Sequence, residues 1–151
     1  MPRITKLKTL ATLTALTLVL SQLVGHHALA AASKPQVRKG AQAQISPQAE
    51  VLLVYEKALI NEGIDAASKY MTPERLADMQ EMFKQFGPDS FKDFQAKMRA
   101  GAPQGEARRK QIETLSIDDD RAVLEARTGP NMLDEIRFRR TNEGWKVDKG
   151  R

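Results

Sequence analysis

The chain has 151 residues, with 24 lysines and arginines against 19 aspartates and glutamates, two histidines and no cysteine. The missing cysteine excludes disulfides, thiol-linked lipid anchoring and every thiol-based nucleophile or metal site. The formal net charge of +5 falls to +2 for residues 31–151, because Arg3, Lys6 and Lys8 lie ahead of them and every acidic residue lies within them; no concentrated basic face of the kind nucleic-acid binding needs is indicated.

The first element reads as an export signal. Arg3, Lys6 and Lys8 precede an uncharged run over residues 9–25, and Ala28-Leu29-Ala30 follows it. A positive end, an apolar middle and small residues at the exit are the parts of a cleavable secretory signal, here over 1–30, with cleavage expected between Ala30 and Ala31. The rival reading, an uncleaved anchor, needs about 20 predominantly apolar residues. This run is shorter and diluted by Thr12, Thr14, Thr17, Ser21 and Gln22. The expected location is therefore periplasmic or secreted, with membrane contact only through the signal during export. His26 and His27 leave with it. The remaining chain lacks the residue most used for acid–base work near neutral pH, and nucleophile–histidine pairs and zinc sites are excluded with it. Carboxylates, lysine and tyrosine are left, and neither a metal nor any cofactor is expected.

Residues 31–45 are rich in Ala, Gln and Lys without apolar periodicity and read as a flexible lead-in. Ser46-Pro47 is a cap followed by proline at the first helical position. Val51, Leu52, Tyr55, Ala58 and Leu59 then recur at helical spacing until Asn61-Glu62-Gly63. A short helix fits residues 64–70. Thr72-Pro73 opens another, with Leu76, Met79, Met82, Phe83 and Phe86 as its stripe and Gly87-Pro88 as its stop. Asp89 or Ser90 caps a helix carrying Phe91, Phe94 and Met98 to Gly101, and residues 102–107 read as a loop.

From Arg109 the pattern alternates, predicting strands over 111–117, 121–128, 132–140 and 145–147. A tight turn at 129–131 pairs Leu124 with Ile136 and Ala122 with Phe138, which keeps the apolar side chains on one face. Glu125 and Arg137, and Arg127 and Glu135, then lie diagonal on the other face. Helices first and a one-sided antiparallel meander after them predict an α+β domain over 46–149, with N-terminal helices packed on one face of the sheet.

Two stretches carry a resemblance: Val54-Tyr55-Glu56-Lys57-Ala58-Leu59 through Gly63-Ile64-Asp65 to Tyr70-Met71-Thr72-Pro73-Glu74, and Arg137-Phe138-Arg139 with Asn142-Glu143-Gly144-Trp145-Lys146-Val147-Asp148. In this order they resemble the nuclear transport factor 2-like superfamily, with its SnoaL-like and ketosteroid-isomerase-like branches, over about residues 47–148. The resemblance implies a cystatin-like α+β cone whose helices and curved sheet enclose a cavity. It implies no single function, since such folds host enzymes, binders and structural modules. It makes Tyr55, Tyr70, Phe83, Phe86, Leu124, Ile136, Phe138 and Trp145 the expected lining or floor.

Asp134 is the one acid on the inward parity of its strand, a candidate base if burial raises its pKa, against an ordinary hydrated carboxylate near the hairpin end. The Met and Phe stripe suits adaptable apolar contacts or ordinary packing. Arg108-Arg109-Lys110 and Arg137-Arg139-Arg140 read as solvated face, and Trp145 as core under the first helix. Three functions follow. The first is a non-enzymatic exported module binding a small apolar ligand or a periplasmic protein through its cavity or sheet face. The second is an isomerase- or cyclase-type enzyme using Asp134 with Tyr55 or Tyr70. The third is a structural homodimer through the sheet.

Overall fold

The computed structural model describes residues 34–87 and 89–150; the signal over 1–30 and its cleavage residues Ala28, Ala30 and Ala31 lie outside them. The chain runs β1 (Gln36–Lys39), α1 (Ala41–Gln44), α2 (Pro47–Asn61), α3 (Ile64–Ser68), α4 (Pro73–Phe86), α5 (Ser90–Gly101), α6 (Glu106–Arg109), β2 (Ile112–Asp118), β3 (Arg121–Gly129), β4 (Met132–Thr141) and β5 (Gly144–Val147). It is an α+β fold, with helices packed on an antiparallel sheet of order β1-β2-β3-β4-β5.

The two principal helix starts form as their caps dictate. Ser46 Oγ accepts the Ala49 N–H at 3.2 Å, and Thr72 Oγ1 accepts the Arg75 N–H at 3.3 Å, each followed by proline in the first turn. These caps satisfy donors that helical geometry leaves unpaired. Gly63 ends α2 at φ +109°, a conformation glycine adopts without a Cβ penalty.

The β3–β4 register pairs Leu124 with Ile136, Ala122 with Phe138 and Ala126 with Asp134, as the apolar parity requires. Leu52, Tyr55 and Leu59 of α2 join Leu115, Leu124, Phe138 and Val147 of the sheet in one buried cluster. Removing such side chains from water stabilises by roughly 1.5–3 kcal/mol each. The opposite sheet face is polar. There Arg137 donates to Glu135 at 3.1 Å, Arg127 to Glu113, and Thr114 to Glu125. The diagonal pairs expected for this face are replaced by these nearer partners.

Helix α5 contains no fully buried residue and is tied on by polar side chains. Gln95 Nε2 donates to the carbonyls of Leu59 and Ile60 at 2.8 and 3.1 Å, and Arg99 Nε to that of Ile60 at 2.9 Å. The last turn of α2 leaves those carbonyls without intrahelical donors, so α5 caps a neighbouring helix laterally. Phe83 of α4 packs edge-on to Phe91 of α5, centroids 4.8 Å apart.

Three expectations are corrected. Much of the stretch read as a flexible lead-in is structured: residues 36–39 add a fifth strand antiparallel to β2, and Ala43 of the one-turn α1 is fully buried. An edge strand half in water shows no apolar alternation, so its sequence carries little signal. The loop assigned to 102–107 turns helical at Glu106. Trp145 is half-buried at the rim of the core, with the Arg140 guanidinium 5.3 Å over its ring.

Candidate functional site

Along α2, Leu52, Tyr55, Glu56 and Leu59 follow the i, i+3, i+4, i+7 spacing of a single helix face. Glu56 thus puts a carboxylate on the border of an otherwise apolar stripe, and burial of that stripe carries it inward. Its counter-ion comes from α6. Arg108, with 7% of its side chain exposed, donates from Nε to both carboxylate oxygens of Glu56 at 3.1 and 3.2 Å, and from Nη2 to Oε1 at 3.0 Å. Nη2 also reaches Asp134 Oδ2 of β4 at 3.1 Å, and Nη1 reaches Gln111 Oε1 at 3.2 Å. A planar guanidinium suits this geometry because its donors form a fixed fork.

Burial pushes the Glu56 carboxyl above its ordinary value, outweighing the opposing pull of Arg108. The two carboxylates hold the Arg108 guanidinium protonated, with a raised pKa despite its burial. Burial also raises the Tyr55 phenol, whose O–H donates to Met79 Sδ at 3.4 Å.

Beside this triad is a half-open cleft of about 330 Å³ between α2, α4, α5 and β4. Its apolar wall includes Leu52, Tyr55, Met79, Phe83, Phe94 and Met98, and Glu56 and Asp134 stand at its polar side. A second cavity of about 350 Å³, under the α5–α6 connection, is lined by Ile60, Pro103, Arg108 and Thr128. Glu56, Met98 and Asp134 line both. The two carboxylates and Met98 are therefore shared by two adjoining spaces, while Arg108 faces the second alone.

Of the residues singled out from sequence, Tyr55, Phe83, Ile136 and Asp134 come together at the first cleft. Leu124 and Phe138 are instead fully buried core, and Trp145 sits at the core's edge. Tyr70 packs against the core with Lys69 Nζ 5.1 Å from its ring centroid, outside the cleft lining. Phe86, 73% exposed at the end of α4, lies in solvent. Asp134 has the inward parity expected of it, yet its side chain is 49% exposed. The more buried carboxylate is Glu56 of α2, which meets the same Arg108 Nη2 as Asp134.

Arg108 is the clearest departure. Grouped with its basic neighbours it read as solvated face, but it is the buried centre of the site. Arg109 beside it is also engaged, donating to the Gln44 carbonyl and to Glu50 Oε1, both at 2.7 Å, so that α6 is fastened to α1 and α2. Glu56 was not singled out from the sequence, although its i+4 spacing from Leu52 on the apolar face of α2 is a signal that could have found it. Nothing in the basic run marked which arginine would turn inward.

Among the described residues, no group of three or more His, Cys, Asp or Glu side chains is placed to hold a metal ion, and no helix is long and apolar enough to cross a membrane. Comparison of the chain with protein-family models, with curated proteins and with solved structures returns no match.

Proposed function

We propose that the protein is an exported binding module of the nuclear transport factor 2-like superfamily that takes a small, largely apolar ligand into the cleft between α2, α4, α5 and β4. The observation that carries this reading is the composition of that cleft: about 330 Å³, walled by methionine and aromatic side chains, with the charged residues Glu56, Arg75, Asp134, Glu135, Arg137 and Asp148 completing its lining. Ligand sites generally combine a volume of ~300–1,000 Å³, apolar walls and a few placed polar groups. Met79, Met82 and Met98 all line it, and unbranched thioethers adapt to ligands of different outline.

The test is native mass spectrometry of the protein purified gently after export. A reproducible small-molecule adduct, lost when Phe83 and Met98 are both replaced by alanine, supports the reading. A bare monomer under every condition, or a dimer whose formation excludes small molecules, refutes it.

One observation favours a second reading, proton transfer by an isomerase-type enzyme. Glu56 is a carboxyl raised by burial, and it lines the cleft next to the Tyr55 ring. A carboxyl whose proton is held more tightly by burial is the type of group used for general acid–base work. Against it, Arg108 occupies both oxygens of Glu56, so a base role requires that contact to open. Homodimerisation through the sheet draws no support from the charged outer face described above.

A further inference from the structure

The polar side of the cleft is not symmetric in what it can still bind. Arg108 makes five hydrogen bonds to Glu56, Asp134 and Gln111, which leaves it little donor capacity for an incoming anion. Both oxygens of Glu56 are engaged by it. Asp134 is different. Oδ2 accepts from Arg108, whereas Oδ1 accepts no hydrogen bond among the described residues, and its side chain is half exposed where the two cavities meet. Two carboxylates around a single guanidinium also leave the triad one negative charge in excess.

The neighbouring charges do not reverse that balance. Arg137 is paired with Glu135, and Arg75, which also lines the cleft, lies 3.8 Å from Asp78, its Nε unpartnered but buried out of a ligand's reach. Asp148, at the far end of the cleft, accepts from Thr72 and lies 3.3 Å from Arg139. The acceptor left open beside the methionine and phenylalanine wall is thus Asp134 Oδ1.

We infer that the ligand is a cationic amphiphile, a primary or secondary amine on an alkyl or aryl body, with the ammonium donating to Asp134 Oδ1 and the apolar body lying along Met79, Phe83 and Met98. The inference rests on the binding reading above and narrows its ligand class. An ammonium suits the site because it brings donors and positive charge to a half-satisfied carboxylate. A carboxylate of the same length would meet Asp134 and Glu56 with like charge and find Arg108 already occupied. The chain's overall charge works the other way: residues 31–151 carry 21 basic and 19 acidic side chains, so non-specific attraction favours an anion. A preference for the amine therefore reports the local site.

Three probes of equal chain length separate the possibilities: octylamine, 1-octanol and octanoate at pH 7, each titrated into the 15N-labelled exported protein and followed by amide chemical shifts. The expected result is octylamine tighter than octanol by about tenfold, octanoate weakest, and shifts centred on residues 52–59, 79–83 and 134–136. In Asp134→Asn, octylamine loses its advantage over octanol, and amide shifts outside the cleft that match those of the parent show that the variant is folded. Equal binding of all three probes, or a uniform loss in Asp134→Asn, overturns the amine assignment and leaves cleft binding standing. If none of the probes moves the cleft amides, the binding reading fails, and the amine assignment falls with it.

Discussion

Replacing Arg108 by methionine tests how much the fold depends on its buried ion pair. Arg108→Met keeps the length and most of the volume of the side chain but removes five hydrogen bonds and, among the described residues, the only cation paired with Glu56. Breaking a buried pair from one side costs about 3–5 kcal/mol, because the remaining charge is left desolvated. Glu56 keeps 20% of its side chain in solvent and Asp134 keeps 49%, so part of the loss is recovered as hydration, and the lower end of the range applies. The expected loss is about 3 kcal/mol, a fall in Tm of roughly 10–15 °C for a domain of this size. Urea unfolding followed by circular dichroism measures it. The double variant Glu56→Leu with Arg108→Met removes both buried charges and is expected to return to within about 1 kcal/mol of the parent, since well-packed apolar replacements of buried pairs are often neutral. A loss below about 1 kcal/mol in Arg108→Met, or a double variant no more stable than the single one, would refute the argument that Glu56 depends on Arg108 for its place in the interior.

The pH dependence of Glu56 follows from its raised pKa. The folded state holds the proton more tightly than the unfolded chain, whose carboxyl titrates near 4.5, so this group's contribution is fully present below that pH and is lost as pH rises through the folded pKa. Glu56→Gln should therefore be least stable relative to the parent near pH 4.5 and gain on it towards pH 7; parallel denaturation curves across that window would contradict the assignment. Phe83→Ala removes the ring that meets Phe91 edge-on at 4.8 Å and Phe94 at 5.7 Å. It should cost about 2 kcal/mol, below the full-burial range, because Phe83 is only partly buried. Hydrogen exchange should then accelerate in α4 and α5 and leave β2–β4 protected. Thr72 both caps α4 and donates to Asp148 Oδ1 at 2.7 Å. Thr72→Val should lose about 1–2 kcal/mol, and Thr72→Ser should recover most of it, since the serine hydroxyl can make both contacts.

The fold was legible where local rules act alone. Ser46-Pro47 and Thr72-Pro73 mark helix starts because an unpaired N–H needs an acceptor whatever the tertiary context. The β3–β4 register was legible because a one-residue slip would bury Glu135 and Arg137 in place of Ile136 and Phe138. β1 was not legible, because its order comes from backbone hydrogen bonds to a neighbour more than seventy residues away in sequence, as in the pairing of Val37 with Ser116. An edge strand needs only one partner and no apolar face, so composition alone reads it as loop.

The site divides along the same line. Asp134 could be placed on the inward face from strand parity, and Glu56 from its i+4 relation to Leu52, because each belongs to a regular element with a readable period. Arg108 belongs to a single helical turn, where three consecutive basic residues present no period at all. Its burial follows from the other two: α2 carries Glu56 inward, β4 brings the half-exposed Asp134 beside it, and the desolvation cost of Glu56 selects a cation to meet them. An inward acid on each of two packed elements is thus itself a sequence signal for a buried arginine or lysine nearby. Here that reasoning leaves Arg108, Arg109 and Lys110 as the nearest cations ahead of β2, and their side-chain geometry separates them. Arg108 forks onto Glu56 and touches Asp134, and Arg109 engages Glu50 and Glu106 nearer the surface. Lysine, a point charge without a planar fork, could not have satisfied both oxygens of Glu56 and reached Asp134 with comparable geometry.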